Sequence, residues 1–158
     1  MEIRPACLDD IPALVELFVA VVDERTWLGT EPGFDRERSG TRYAERIASA
    51  DNLVLVAQAG DAIVGTLQLA LKEGLHHLGM MIAHGYRAQG IGTELLLAAL
   101  AWAREHASAG IALGVFPHNA GALRLYEKTG FRIVRRSEAA CTRQTGEVWD
   151  LIEMEHRF

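Results

Sequence analysis

The sequence contains a glycine-bearing segment, Arg87-Ala88-Gln89-Gly90-Ile91-Gly92, between a predicted strand at residues 75–83 and a predicted helix at residues 93–106. The first N–H groups of a helix have no partner within it, and the helix dipole adds partial positive charge at the same end. Glycine lets a ligand approach the backbone closely. The segment therefore predicts a phosphate-binding turn, although a simple tight connection would have a similar composition. It lacks the Gly-Lys-Ser/Thr ending of an ATP-binding loop and the third glycine of a dinucleotide-binding loop.

A second candidate for chemistry is the helix predicted to begin after Asn119 and to end before Gly130. Asn119 is a favourable N-cap, and glycine is typical just beyond a helix end. Tyr126 follows Asn119 by seven residues, close to two helical turns, so both side chains share one face. A ligand lying beside the helix would meet both. The alternatives are that Tyr126 is a half-buried core aromatic residue and that Asn119 only caps the helix.

These two segments together resemble the GNAT superfamily, the general-control-related N-acetyltransferases. The loop at residues 87–92 matches the family signature Arg/Gln-x-x-Gly-x-Gly/Ala, and residues 119–131 resemble its second conserved block through Leu-Tyr-Glu-Lys-x-Gly-Phe. Their separation, one helix and one strand, also fits. The chain differs from the usual family sequence at Ala88, where glycine is frequent. It also differs at His84-Gly85-Tyr86, which replaces a proline-containing segment before the motif.

The resemblance implies an α/β fold with a GNAT-like mixed, mostly antiparallel sheet, helices on both faces and splayed central strands, in one domain over residues 1–158. It also implies acetyl-CoA as cosubstrate. The cofactor-binding residues expected from it are Met81, Ile82, Arg87, Ala88, Gln89, Gly90, Ile91, Gly92, Thr93 and Asn119. A backbone N–H in the region Met81-Ile82 would polarise the thioester carbonyl. Tyr126, a phenol with an ordinary pKa of about 10, occupies the family's usual position for the acid that protonates the leaving thiolate.

The base is a more open question. His76 lies eleven residues before Arg87, where similar enzymes often place a glutamate or a histidine, and imidazole suits proton transfer near neutrality. His77 should point to the opposite face of the strand. A relay of ordered water without a dedicated side chain is the alternative. We expect no metal, because the histidines lack regular ligand spacing and have no cysteine or clear carboxylate partner.

The acceptor is expected beside the irregular loop at residues 24–35. Trp27 would form an apolar wall, and Glu24 and Glu31 would hold a cationic amine; the alternative is that the loop is a structural cover. The expected activity is transfer of an acetyl group to a primary amine of a small molecule by direct attack on the thioester. The alternatives are acetylation of a protein N-terminus or a lysine, and a CoA-binding module without turnover.

The elements that must position these residues follow from the apolar patterns. The predicted order is a strand, two helices, three strands, a helix, a strand, a helix and two strands. The expected strands lie at residues 2–6, 52–59, 63–71, 75–83, 111–116, 131–135 and 148–155. Four helices are expected. The first begins after Asp9-Asp10, the next two cover residues 36–50 and 93–106, and the last begins after Asn119. Such an order indicates a mixed sheet with helices on both faces.

Composition sets the remaining limits. A length of 158 residues with 49% hydrophobic content suits one domain with a sizeable core. Lysine and arginine number 16 against 21 acidic residues, so the formal charge is −5 and nucleic acid is an unfavourable partner. Anionic CoA would then depend on local donors such as Arg87 and backbone N–H groups. Two cysteines make no disulfide framework, and neither a signal peptide nor a membrane span is recognisable, so we expect a cytoplasmic protein. Homodimers are common among similar proteins, which makes a homodimer one expectation.

Overall fold

The computed structural model describes residues 1–158. Its strands are β1 (Glu2–Pro5), β2 (Leu53–Ala59), β3 (Ala62–Lys72), β4 (Leu75–Ile82), β5 (Gly110–Val115), β6 (Arg132–Thr142) and β7 (Val148–Arg157). Its helices are α1 (Ile11–Asp23), α2 (Arg36–Ala48), α3 (Ile91–Glu105) and α4 (Ala120–Lys128), with short 3-10 turns at Leu8–Asp10 and His84–Tyr86. The predicted element order is confirmed. None of the helices is both long and apolar enough to span a membrane.

The strands form one sheet in the order β1-β2-β3-β4-β5-β7-β6. Every neighbouring pair is antiparallel except β4 and β5, which are parallel. The mixed, mostly antiparallel sheet is therefore confirmed. The main difference from the prediction is β6, which runs to Thr142 instead of ending at Arg135. Nearly all of its side chains are exposed, so it has no apolar alternation by which its full length could be recognised.

Helices cover both faces of the sheet. The side chains of β2 show how alternate residues of one strand pack against the helices on the two faces. Alternate side chains of a strand point to opposite faces. Leu55 and Ala57 accordingly pack in the larger core with α3, whereas Val54 and Val56 pack with Leu14 of α1 and Tyr43 of α2. A strand buried on both faces reads as a continuous apolar run, which is the pattern of β2.

The two central strands separate soon after they meet. The parallel pairing of β4 with β5 consists of His76 opposite Ile111 and His77 opposite Ala112. β4 continues to Ile82 and β5 continues to Val115, but beyond these two residue pairs the strands do not pair with each other. The predicted splay of the central strands is thus present, and it leaves a gap at the carboxyl ends of both strands.

His76 lies at the closed end of this splay. Its Nδ1 is 2.7 Å from Ser108 Oγ, its Nε2 is 2.9 Å from the Asp51 carbonyl oxygen, and its ring makes an edge contact with Trp102. The side chain is only 5% exposed and lines a small cavity away from the gap. The structure therefore gives no support to His76 as the base. The Nδ1 contact with Ser108 holds the segment before β5 against β4, and the Nε2 contact holds the segment before β2.

We predict that His76→Ala lowers the free energy of unfolding by about 2 kcal/mol, because it removes two buried hydrogen bonds. His77→Ala is the matched control, since His77 is the exposed neighbour on the opposite face of the same strand. Its effect should stay within about 0.5 kcal/mol. Urea denaturation of both variants measures the difference. Equal losses in the two variants would show that the His76 hydrogen bonds do not hold this end of the splay.

Candidate active site

A cavity of about 540 Å³ opens where β4 and β5 separate, a size typical of small-ligand sites. The predicted site residues that line it are Trp27, Met81, Ile82, Arg87, Ala88, Gly90, Ile91, Gly92, Thr93, Asn119 and Tyr126. The predicted residues that do not line it are Glu24, Glu31, His76 and Gln89. The structure therefore brings the loop at 87–92, the end of β4 and one face of α4 together around one space.

The loop at residues 87–92 presents backbone to this cavity. Ala88 and Gly90 have positive φ angles of 58° and 86°, and Gly90 is the N-cap of α3. The first helical hydrogen bond runs from Glu94 N to Gly90 O at 3.1 Å, so the N–H groups at residues 91–93 have no partner in the helix. A Cβ built on Gly90 would meet no atom within 4 Å. This open helix N-terminus is suited to an anionic group.

The end of β4 supplies a further backbone donor. Ala83 N donates to Val64 O of β3 at 2.8 Å. In antiparallel pairs, N–H groups alternate between the two edges of a strand, so the N–H of Met81 faces β3 and that of Ile82 faces the gap. The side chain of Met81 is buried against Leu17 and Val21 of α1. Of the two residues predicted to polarise a carbonyl, Ile82 is the one whose amide faces the cavity.

The Arg87 side chain is engaged by the protein itself. Its Nη1 and Nη2 donate to the two carboxylate oxygens of Glu24 at 2.6 and 2.7 Å, and its Nε donates to Ile82 O at 3.0 Å. Trp27 Nε1 also donates to Glu24, at 3.0 Å. Hydrogen bonding from Arg87, more than any other influence, holds the pKa of Glu24 below its usual value, while partial burial opposes the shift.

Two predictions about this pair are therefore corrected. Arg87 does not point a free guanidinium at a phosphate group, because both of its terminal nitrogens bind Glu24. Glu24 is not a free carboxylate for a cationic acceptor, because the same contact neutralises it. The pair instead fastens the loop at residues 24–35 to the phosphate-binding turn, with the guanidinium 5.4 Å from the centre of the Trp27 ring.

Glu31 is also used structurally, which contradicts its predicted role in substrate binding. Its carboxylate lies 3.3 Å from Arg143 Nε and accepts from Gln144 N at 2.8 Å. Arg143 is 5% exposed, donates to Leu28 O at 2.8 Å and stacks on the Trp149 ring at 3.8 Å. These contacts tie the loop to the turn between β6 and β7. Glu31 is consequently not a free carboxylate for a cationic acceptor.

Asn119 and Tyr126 both reach the cavity from α4. Asn119 Oδ1 accepts from Ala122 N at 3.3 Å, so the residue caps the helix as well as lining the space. Tyr126 is 6% exposed, packs against Phe131, and has no hydrogen bond from its hydroxyl to another part of the chain. Burial raises the pKa of the Tyr126 phenol well above its usual value. The phenol therefore stays protonated at neutral pH and can act as a proton donor.

His118 is a cavity residue whose role the sequence did not indicate. It lies between β5 and α4, and its Nε2 is 2.6 Å from Thr26 O. No group of three or more histidine, cysteine or acidic side chains in the structure is arranged to hold a metal ion. Its position immediately before a helix cap at the end of a central strand was the available signal.

Comparison with known proteins identifies a family and solved structures of the same fold. The model of a family described as acetyltransferase (GNAT) matches residues 19–131. Two similar solved structures are a GNAT-family acetyltransferase from Streptococcus pneumoniae (TM-score 0.89, 23% identity, 99% of each chain covered) and a ribosomal-protein-alanine N-acetyltransferase from Brucella melitensis (0.90, 24%, 100% of each). A third is a GNAT phosphinothricin acetyltransferase from Sinorhizobium meliloti in complex with acetyl-CoA (0.89, 15%, covering 99% of this chain and 88% of that one). No curated protein matches the chain.

We predict that Glu24→Gln lowers the free energy of unfolding at neutral pH by about 1 kcal/mol, because it removes a charge-assisted, partly buried pair. The folded-state pKa of Glu24 lies below its ordinary value of 4.5, so its contribution is complete above that pH and is lost as the pH falls through the lowered value. The difference between the wild type and the variant should therefore shrink in acid. Urea denaturation at several pH values measures it.

The matched control is Glu16→Gln, because Glu16 makes a single exposed contact with Arg36 at 3.3 Å. Its effect should remain within about 0.5 kcal/mol at every pH. A Glu24→Gln difference that does not depend on pH would contradict the assignment of an ionised clamp between the loop and the phosphate-binding turn.

Proposed function

The chain belongs to the GNAT family of N-acetyltransferases and uses acetyl-CoA as cosubstrate, and we propose that it transfers the acetyl group to a primary amine of a small molecule by direct attack on the thioester. One observation carries the proposal. The open N-terminus of α3, the gap-facing amide of Ile82 and the buried phenol of Tyr126 all border the same cavity.

The donor is held through backbone. The pyrophosphate of acetyl-CoA lies on the N–H groups of the turn at residues 87–92 and of the first turn of α3. The pantetheine arm extends into the gap between β4 and β5, where β4 has an unpaired edge. Because Arg87 is occupied by Glu24, the anion depends on helix-terminal N–H groups and the helix dipole for its binding energy.

The reaction then needs a nucleophile, a hydrogen-bond donor to the carbonyl oxygen, and an acid. The neutral amine nitrogen attacks the thioester carbonyl carbon, and the Ile82 N–H donates to the carbonyl oxygen as negative charge develops there. As the carbon–sulfur bond breaks, the Tyr126 hydroxyl gives its proton to the thiolate. The raised pKa of Tyr126 keeps that proton in place until the thiolate forms.

The acceptor end of the cavity favours an amine with an apolar or aromatic body. Its wall there is formed by Trp27 and Leu28 from the loop and by His118. Both loop carboxylates expected to attract a cation are paired, Glu24 with Arg87 and Glu31 with Arg143. Recognition consequently rests on contact with rings and aliphatic side chains, and the expectation of a cationic amine held by Glu24 and Glu31 loses its physical support.

A polypeptide acceptor is less well supported by these features. The Brucella neighbour is a ribosomal-protein-alanine N-acetyltransferase, but at 24% identity its likeness extends to the fold. In this chain the loop at residues 24–35, which contributes Trp27 and Leu28 to the cavity wall, is fixed to the β6–β7 turn through Arg143. A CoA-binding module without turnover would have no use for a protonated phenol at the leaving sulfur.

The proposal is tested by CoA thiol release from acetyl-CoA with a panel of acceptors: aromatic and branched aliphatic primary amines, linear diamines, and peptides that begin with alanine or contain lysine. We expect the highest kcat/KM with the aromatic or apolar amines and low values with diamines. Turnover confined to the peptides would contradict the small-amine assignment. Tight acetyl-CoA binding without acceleration by any acceptor would contradict catalysis.

We predict that Gly90→Ala weakens acetyl-CoA binding by roughly tenfold or more, because the added methyl group stands where a phosphate must approach the backbone. The matched control is Gly74→Ala in the turn between β3 and β4. Gly74 has a φ of +85° against +86° for Gly90, and a Cβ at either position meets no atom within 4 Å. The backbone strain of the two variants is therefore equal. Calorimetry that gives both variants the same affinity would place the phosphates elsewhere.

A further inference from the structure

We infer that His118 is the catalytic base of the transfer, accepting the proton of the attacking amine on its Nδ1 atom. This assignment rests on the proposed acetyl transfer. It replaces His76, whose two ring nitrogens are engaged at the closed end of the splay.

The first argument is the tautomer of the His118 ring. Its Nε2 lies 2.6 Å from the backbone oxygen of Thr26. A carbonyl oxygen only accepts hydrogen bonds, so Nε2 must carry the hydrogen, and a neutral imidazole then has its lone pair on Nδ1. No group of the chain hydrogen-bonds to His118 Nδ1. The contact with Thr26 thus leaves one ring nitrogen as a free acceptor and fixes which one it is.

The second argument is the set of ionisable side chains around the cavity. Those that line it are Tyr86, Arg87, His118 and Tyr126. Arg87 is bound to Glu24, and a phenol or a guanidinium does not accept a proton at neutral pH. No aspartate, glutamate or lysine lines the cavity. Imidazole is therefore the one side chain there whose ordinary chemistry suits a base near neutrality.

The third argument is that the ring is held in one orientation. It lies parallel to Phe116, with an angle of 1° and 5.8 Å between centroids, and it meets the Trp149 ring edge-on at 4.6 Å. Trp27 flanks it at 6.3 Å. Together with the Thr26 hydrogen bond, these contacts restrict both ring rotation and tilt. A base held in this way loses little further freedom when the substrate arrives.

The proton balance of the step is complete. The amine nitrogen forms the new bond to the carbonyl carbon while one of its hydrogens passes to His118 Nδ1, and the carbon–sulfur bond breaks as Tyr126 gives its proton to sulfur. His118, which is exposed, then releases its proton to solvent. Tyr126 regains one from solvent once the products leave. The net change is amine plus acetyl-CoA to amide plus CoA thiol.

The elements packed against His118 carry two ion pairs, an unpaired Glu147 and an exposed His84 whose Nδ1 lies 3.8 Å from Glu24. Trp27 is bonded to Glu24, which pairs with Arg87. Trp149 is covered by Arg143, which pairs with Glu31, and its indole N–H contacts Glu147 at 3.4 Å. The pKa of Glu24 is lowered mainly by its hydrogen bonds with Arg87, so that carboxylate stays ionised through the neutral range.

The test is the pH dependence of kcat and of kcat/KM for the best acceptor of the panel. We expect the wild type to show an acidic limb of histidine type. His118→Gln keeps an N–H that can donate to Thr26 O but has no basic nitrogen. It should lose that limb and reduce kcat by roughly a hundredfold, with an unchanged Kd for acetyl-CoA by calorimetry.

Two further variants make the outcome specific. His84→Gln removes a neighbouring imidazole that is 88% exposed and does not line the cavity, so its profile should match the wild type. Tyr126→Phe should lower kcat but retain the acidic limb, because it removes the acid and leaves the base. The limb is also recorded with two acceptors whose ammonium pKa values differ.

The outcomes separate the two proposals. If the wild type has no turnover with any acceptor, the acetyl transfer itself fails. If the wild type turns over but His118→Gln keeps the wild-type limb, or raises KM without changing kcat, His118 only shapes the acceptor site and the inference is overturned. A limb that moves with the pKa of the acceptor instead of with the His118 substitution overturns it as well.

Discussion

The cleft depends on where the parallel pairing between β4 and β5 stops. Two residue pairs, His76 with Ile111 and His77 with Ala112, join these strands, and beyond them the backbone groups along one edge of β4 have no neighbouring strand. Unpaired backbone donors inside a protein are costly unless a ligand or water satisfies them. At this position they are the feature that a thioester carbonyl and a pantetheine arm can use. The hydrogen bond between His76 and Ser108 lies at the closed end, where the two strands are still paired.

A second constraint is that the charged residues near the cleft form ion pairs with one another, which fix the loop beside the cleft. Glu24 with Arg87 joins the loop at residues 24–35 to the phosphate-binding turn, and Glu31 with Arg143 joins the same loop to the β6–β7 turn. An acidic chain with a formal charge of −5 therefore binds an anionic cosubstrate without a free cationic side chain from Arg87. Helix-terminal N–H groups can do this because their partial charge is local and does not depend on the net charge of the protein.

The parts of the site that the sequence could predict are those set by neighbouring residues. A positive φ at Gly90, a cap at Asn119 and the two-turn spacing to Tyr126 are properties of short segments, and each is present. The structure gives no support to the roles predicted for His76, Arg87, Glu24 and Glu31, because each of these side chains binds a partner far along the chain. Glu24 and Arg87 are 63 positions apart, and Glu31 and Gln144 are 113 apart. A charged side chain has no sequence pattern that reveals whether its partner will be a ligand or another residue.

The splay also divides the chemistry between two walls. β4 and the start of α3 form one wall, which offers backbone N–H groups to the acetyl-CoA donor. In this wall the residue type matters only where glycine is required. The other wall is the connection from β5 into α4, which carries His118, Asn119 and Tyr126 within one short segment. Because the Asn119 cap lies between the proposed base and the proposed acid, the geometry of one helix start sets the position of both. Under the proposed mechanism, the separation of β4 from β5 determines how far these groups lie from the thioester, so the extent of strand pairing bears on catalysis as well as on binding.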